Sequence, residues 1–424
     1  MTLEEQILQI VKQEVKPAIG CTEPISTALA CAIIKEYLQE DLKKLTLFPS
    51  GNLLKNTMAV TIPNTSSSGI EMAAAMGYVC GDSKLGLEVL KYATPQDEQA
   101  AKNLLSKVAV YLKKNVPNLY IEAIGESENN IVKVIIEHEH TFIKLIEKNQ
   151  KILLHNTYTQ QNYSQQEIFK TLNLEDIYNL ACSIDEEKIA FIADSAVLNT
   201  ALSQEGLSKD YGLKIGRTFQ KHIQSQLVPN DLMTQILIQT TAASDARMGG
   251  APLPAMTNSG SGNQGITATI PVVVVAKHLQ KEKDLNRALF LSHLTAIYIH
   301  SKLPKLSALC AVTTAGIGSY AGIAWLFTKE FKTVSKGICN MIGDISGILC
   351  DGAGSGCSMK VSTTTQAAFK ALLLALEDST INGKEGIVAN KVDESIQNLC
   401  DIASKSMLNV DSQILEIMMS KNLH

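Results

Sequence analysis

Aromatic side chains are scarce in this chain. Phe, Trp and Tyr make up 5% of its 424 residues, with one tryptophan, Trp325, while 45% of the chain is apolar. Alanine, leucine and isoleucine dominate the apolar content, which favours helices over sandwiches. An excess of positive charge is also missing, because the formal net charge is −4. Nucleic acid and an anionic membrane surface therefore have no electrostatic footprint here. There is no internal repeat and no low-complexity tract. The nine cysteines are odd in number, and their spacing does not form a disulfide framework. The first residues, MTLEEQILQIVKQEVK, read as a charged amphipathic helix rather than a signal peptide. A cytoplasmic protein with reduced thiols is expected. The uncharged run 306–328 is long enough to span a bilayer, for which about 20 apolar residues are needed. Ser307, Thr313, Thr314, Gly316, Gly318, Ser319 and Gly322 dilute it, so it reads as a helix packed inside a helical core.

What is present is a concentration of thiols and small residues. Leu306 to Lys360 holds Cys310, Cys339, Cys350 and Cys357, with Gly347, Gly352, Gly354 and Gly356 around the last two. Each glycine costs about 1 kcal/mol in a helix but lets backbone pass close to a bulky group. Thiols on such a loop suit a metal or an iron–sulfur cluster. They equally suit buried thiols packed as small apolar side chains.

Near the start, Pro17 ends a first helix over 3–15, and Pro24 opens a second that runs to Leu38. Cys21 therefore lies near a helix N-terminus, where the dipole favours a thiolate. Cys31, inside the apolar helix, reads as core. A short strand leads into Gly51, Asn52, Lys55 and Asn56. The run Asn64, Thr65, Ser66, Ser67, Ser68, Gly69 offers hydroxyls and backbone N–H groups to an anion, or simply caps the next helix.

Residues 84–158 change character. A charged helix over about 86–114 precedes LYIEAIGE, NIVKVIIEHEHTFIKLIEK and KILLHN, which carry the period of antiparallel strands. Asn129-Asn130 and Asn149-Gln150 mark turns. His138 and His140, two apart, would share one strand face, which is a solvated face before it is a zinc site. From about 164 the pattern is helical again. In 241–278, Gly260, Gly262 and Gly265 match GxGxxG, but the residues before them are not a strand, so a dinucleotide site is rejected. A backbone cradle for a carboxylate, with donors from Ser259, Ser261 and Asn263, is the better reading.

Five segments then resemble one family. GCTEP at 20–24, GNLLKN at 51–56, SDARMGG at 244–250, SGSGNQG at 259–265 and GDISGILCDGAGSGC at 343–357 look like L-cysteine desulfidase, a family related to the α-chain of iron–sulfur L-serine dehydratases. The resemblance implies a 4Fe–4S cluster on three cysteines with one iron left open. The matching positions are Cys21, Cys310 and Cys350, with Cys357 an alternative ligand and Cys339 an outside one. It implies α,β-elimination of L-cysteine to hydrogen sulfide, pyruvate and ammonia, with no pyridoxal phosphate expected. Candidate bases are Glu23, Lys55 and His300. Candidate substrate contacts are Lys55, Asn56, Thr65, Ser67, Ser259, Gly260, Ser261 and Asn263.

The expected fold is α+β. A mainly helical catalytic domain is built from residues 1–82 and 160–424, with a smaller α+β domain, 83–159, inserted and carrying an antiparallel sheet. The insert is assigned a structural role. The expected partner is a small molecule, L-cysteine or L-serine, with a homo-oligomer open and no membrane or nucleic acid. Two alternatives stand beside the desulfidase: an L-serine or L-threonine dehydratase, and a non-enzymatic iron–sulfur sensor or amino-acid-binding protein.

Overall fold

The computed structural model describes residues 2–158, 167–304 and 306–421. The first helix, Leu3–Glu14, opens on a capping box in which Thr2 and Glu5 satisfy each other's backbone N–H. It buries Ile7, Leu8, Ile10 and Val11, whereas Leu3 is exposed. The strands are β1 (Pro17–Ile19), β2 (Lys44–Pro49), β3 (Val108–Val110), β4 (Tyr120–Glu126), β5 (Ile131–Glu137), β6 (Ile143–Lys148), β7 (Lys151–His155) and β8 (Pro254–Met256). One sheet runs β3-β2-β4-β5-β6-β7, and β1 pairs separately with β8. The larger sheet is antiparallel except for the parallel β2–β3 edge.

The protein is α+β with mainly helical content, and two hydrophobic cores divide it. In the sheet lobe, the helices Thr22–Leu38 and Ile70–Cys80 lay Ile25, Leu29, Ile34 and Met76 against Ile121, Val134 and Ile136 of the strands. In the helical lobe, Ala311–Thr328 lies at the centre, packed on Leu285–His300, Gly262–His278 and Cys357–Leu376. The uncharged run 306–328 thus supplies the middle of a protein core, and no described helix is long and apolar enough to cross a membrane.

The expected boundary at residue 82 cuts through the sheet-lobe core, because that core joins residues 25–76 to β4 and β5. Both early helices bury their apolar faces on the sheet, so they belong with it. The expected helix over 86–114 is also shorter. Pro95, with Thr94 as its cap, starts a helix that ends at Leu104, and Val108–Val110 then joins β2 as an edge strand. The long alternating run breaks at His138, whose φ of +65° turns the chain between β5 and β6. His138 and His140 therefore sit in a turn and do not share a strand face.

The hydroxyl-rich loop before Ile70 does bind a carboxylate, but it is the protein's own. Glu98 accepts hydrogen bonds from the Ser66 backbone N–H at 3.3 Å, the Ser66 hydroxyl at 2.9 Å and the Ser67 hydroxyl at 2.7 Å. Thr65 donates its hydroxyl to the carbonyls of Ile62 and Ser67. The Ser67 hydroxyl holds the Glu98 carboxyl at about 2, well below the usual range, with help from Lys102 and Ser66. A depressed carboxyl stabilises the fold above its unfolded value of 4.5, and that contribution fades as pH falls towards about 2. We expect Glu98→Gln to lower stability by about 1–3 kcal/mol at pH 7. In denaturant titrations the gap between wild type and variant should close as pH falls from 5 to 2.5; a gap independent of pH contradicts the assignment.

Candidate active site

The two lobes flank a partly open cavity of ≈ 100 Å³. The sheet lobe brings Cys21, Glu23, Asn56 and His140 to its wall, and the helical lobe brings Arg247, the 259–264 turn, His300, Cys310, Cys350 and Cys357. Three of the four thiols stand at helix starts. Cys21 caps Thr22–Leu38, Cys310 caps Ala311–Thr328, and Cys357 is the first residue of Cys357–Leu376.

Backbone geometry sets each thiol. Gly20 adopts φ +74°, and a Cβ there would lie 2.2 Å from Pro63, so only glycine delivers Cys21 in this way. The Cys310 and Cys350 segments pair across the Leu309–Leu349 bridge, with Cys310 N–H donating to Ile348 O at 2.9 Å and Cys350 N–H to Ala308 O at 2.7 Å. Burial pushes the Cys21 thiol up to about 12 against the pull of Arg247. Burial likewise raises Cys357. Cys310 is raised by its neighbour Cys350 and by burial. Cys350 is drawn down to about 6 by the Cys310 thiol, with Lys55 and the Gly352 N–H acting the same way against burial.

Lys55 lies behind this wall and does not line the cavity. Lys55 is 1% exposed, and its ammonium donates to Cys350 O at 2.8 Å and pairs with Asp411 at 2.6 Å. Asp411 lies on the last helix, Leu408–Lys421, and also accepts from Asn52 at 3.2 Å. Asn56 does line the cavity: its amide donates to Glu23 at 3.1 Å, and its carbonyl oxygen faces the Cys350 thiol at 3.8 Å. Thr65 and Ser67 stand apart, bound within their own loop and to Glu98. Cys339 is also elsewhere, 3.7 Å from the Ser395 hydroxyl.

The 258–261 turn is held from below by a buried polar network. Asn258 donates to His293 Nδ1 at 3.0 Å and accepts from the Ser259 hydroxyl at 2.9 Å and the Gln264 amide at 3.2 Å. Thr269 meets His293 Nε2 at 3.0 Å. Burial drives His293 down to about 3, so it stays neutral at physiological pH. Above the network, the Thr22 hydroxyl donates to Gly260 O at 2.9 Å, joining the lobes beside Cys21. Ser261 caps the helix Gly262–His278 by accepting from the Gln264 N–H, and Asn263 and Gln264 of its first turn line the cavity.

A family model described as "Serine dehydratase alpha chain" matches residues 84–416. The UPF0597 protein of Actinobacillus pleuropneumoniae serotype 3 (strain JL03) is 53% identical over 422 residues, 99% of this chain and 98% of that protein. The UPF0597 protein of Dichelobacter nodosus (strain VCS1703A) is 48% identical over 426 residues, 100% of this chain and 98% of its own. The UPF0597 protein YhaM of Salmonella gallinarum (strain 287/91 / NCTC 13346) is 48% identical over 430 residues, 99% of this chain and 98% of its own. The chain belongs to the serine dehydratase alpha-chain family. That family description is of a lyase.

In this alpha-chain protein, two cavity residues escape a reading of sequence alone. His140 enters from the turn after β5, in the segment expected to be structural. Arg247 lies in the last turn of Leu232–Met248, and its signal was available: it and Asp245 are the only charges in that helix. Asp245 is spent on another helix start, accepting from the Ile215 N–H at 2.6 Å. The Lys55–Asp411 pair yields a direct test. Asp411→Ala leaves a buried ammonium uncompensated, and we expect it to cost about 3–5 kcal/mol in equilibrium unfolding. The double variant Lys55→Met/Asp411→Leu should recover part of that loss. Equal losses in both would mean the charge pair is not the source.

Proposed function

We propose that this alpha-chain protein is an iron–sulfur L-cysteine desulfidase. The observation that carries the reading is the convergence of Cys21, Cys310, Cys350 and Cys357 on one cavity that the start of Gly262–His278 also lines. Among the described residues, no three His, Cys, Asp or Glu side chains form a site for a single metal ion. The donor set is all thiol, spread over the wall of one cavity, which fits a polynuclear iron–sulfur group. Cys21, Cys310 and Cys350 would hold it, with Cys357 at their side. Thiols raised by burial lose their protons on metal binding. When bound, a cluster with one iron free of protein thiolate supplies a Lewis acid beside the substrate's sulfur.

The chain's own residues divide the remaining work. Ser261, Asn263 and the first N–H groups of Gly262–His278 receive the carboxylate, while the Ser259 hydroxyl is committed to Asn258. Glu23, held by the Asn56 amide at 3.1 Å, takes the Cα proton. His300 and His140 flank the same space and serve the departing sulfur with a proton. Loss of the Cα proton and of the β-sulfur leaves aminoacrylate and hydrogen sulfide. Water then converts the aminoacrylate to pyruvate and ammonia.

The family description names serine dehydratase, so hydroxide is the rival leaving group. A sulfur ligand suits a soft site better than a hydroxyl does. Anaerobically purified protein should release sulfide and pyruvate in equal amounts from L-cysteine, and should turn over L-serine more slowly. Glu23→Gln should lower kcat by about 10²- to 10⁴-fold at unchanged iron content. Faster turnover of serine would make the protein a dehydratase, and no turnover of either by iron-loaded protein would overturn the enzymatic reading.

A further inference from the structure

Arg247 is 5% exposed, yet it lines the cavity. Its Nη1 donates to Met248 Sδ at 3.3 Å and its Nη2 to Gly20 O at 3.0 Å. Nε has no hydrogen-bond partner among the described residues, and none of their carboxylates forms an ion pair with the guanidinium. Buried charges are ordinarily paired, because removing them from water is costly. Here the partners are a thioether, a carbonyl and the Cys21 thiol, so the positive charge is not compensated. Gly262, the first residue of Gly262–His278, has no side chain to keep the guanidinium off: a Cβ there would lie 2.1 Å from Nε. A cation and the positive end of a helix are thus pressed together at one wall of the cavity, and Glu23 of the same cavity makes no ion pair with the guanidinium.

We propose that Arg247 is a binding residue for the substrate's α-carboxylate, acting together with the N-terminus of Gly262–His278. The inference rests on the reading of the site as one for an α-amino acid and adds the group that makes a free carboxylate obligatory. The helix start alone would accept any acceptor oxygen. The guanidinium charge restricts the site to anions, so carboxylate is selected over amide or ester. The competing role for the same charge is to balance thiolates at Cys21 and Cys357.

The test is binding of L-alanine and L-alaninamide to anaerobically prepared, iron-reconstituted protein by titration calorimetry, with iron per chain measured alongside. L-Alanine carries no leaving group, so the result stands whichever β-substituted amino acid the enzyme consumes. Wild type should prefer L-alanine by about ten- to a hundredfold, and Arg247→Met should lose that preference at unchanged iron content. Arg247→Gln keeps a donor for Gly20 O and gives the same reading if the Met variant does not fold. The proposal is overturned if wild type shows no preference, if the preference survives in the variants, or if the variants lose iron in step with binding. Preference for L-alanine without turnover of cysteine would leave Arg247 in place and remove the desulfidase reading.

Discussion

The Lys55 ammonium is the point on which the site's architecture depends. It belongs to the short helix Gly51–Lys55 of the sheet lobe, yet its partners are a carbonyl in the helical lobe's cysteine loop and a carboxylate on the last helix. A buried lysine is stable only when its charge and donors are met. Meeting them here draws together segments separated by 295 and 356 positions in the chain. Leu415, one turn beyond Asp411, then buries itself in the sheet-lobe core. The Cys350 loop is rich in glycine, and this bond and the Leu309–Leu349 bridge tie it to both lobes. The same ammonium lies near enough to Cys350 to favour its thiolate.

From that constraint the cavity's character follows. Burial alone makes a poor thiolate, and Cys21 and Cys357 are both raised by it. Such thiols are inert until a metal replaces the proton. Beside Cys21 stands a guanidinium with no ion-pair partner among the described residues, next to the start of Gly262–His278. Under the proposed reading, a metal group would meet the thiols and an anionic small molecule the guanidinium.

Much of the fold was legible because local signals acted alone. Pro17 and the Asn149-Gln150 turn stand where the sequence placed breaks, and Cys21 sits at a helix start as Pro24 implied. The domain boundary was not legible, because the apolar stripe of Thr22–Leu38 does not say whether it will meet a sheet or other helices. The loop at 64–69 had the right chemistry and the wrong guest, since a serine cluster cannot reveal that Glu98 lies across it. Lys55 was recognised as a special residue for its motif, but an ammonium facing a carbonyl and an aspartate is a clamp rather than a base. The convergence of Cys21 on Cys310, Cys350 and Cys357 came from resemblance. No spacing in the chain encodes a contact across lobes.

The central claim is that thiols from both lobes hold one iron–sulfur group. Its most direct test is iron content and visible absorption after anaerobic reconstitution of wild type, Cys21→Ala and Cys31→Ala. The account predicts about four irons per chain in wild type and in Cys31→Ala, and an unstable or absent chromophore in Cys21→Ala. Wild-type iron and colour in Cys21→Ala would contradict it.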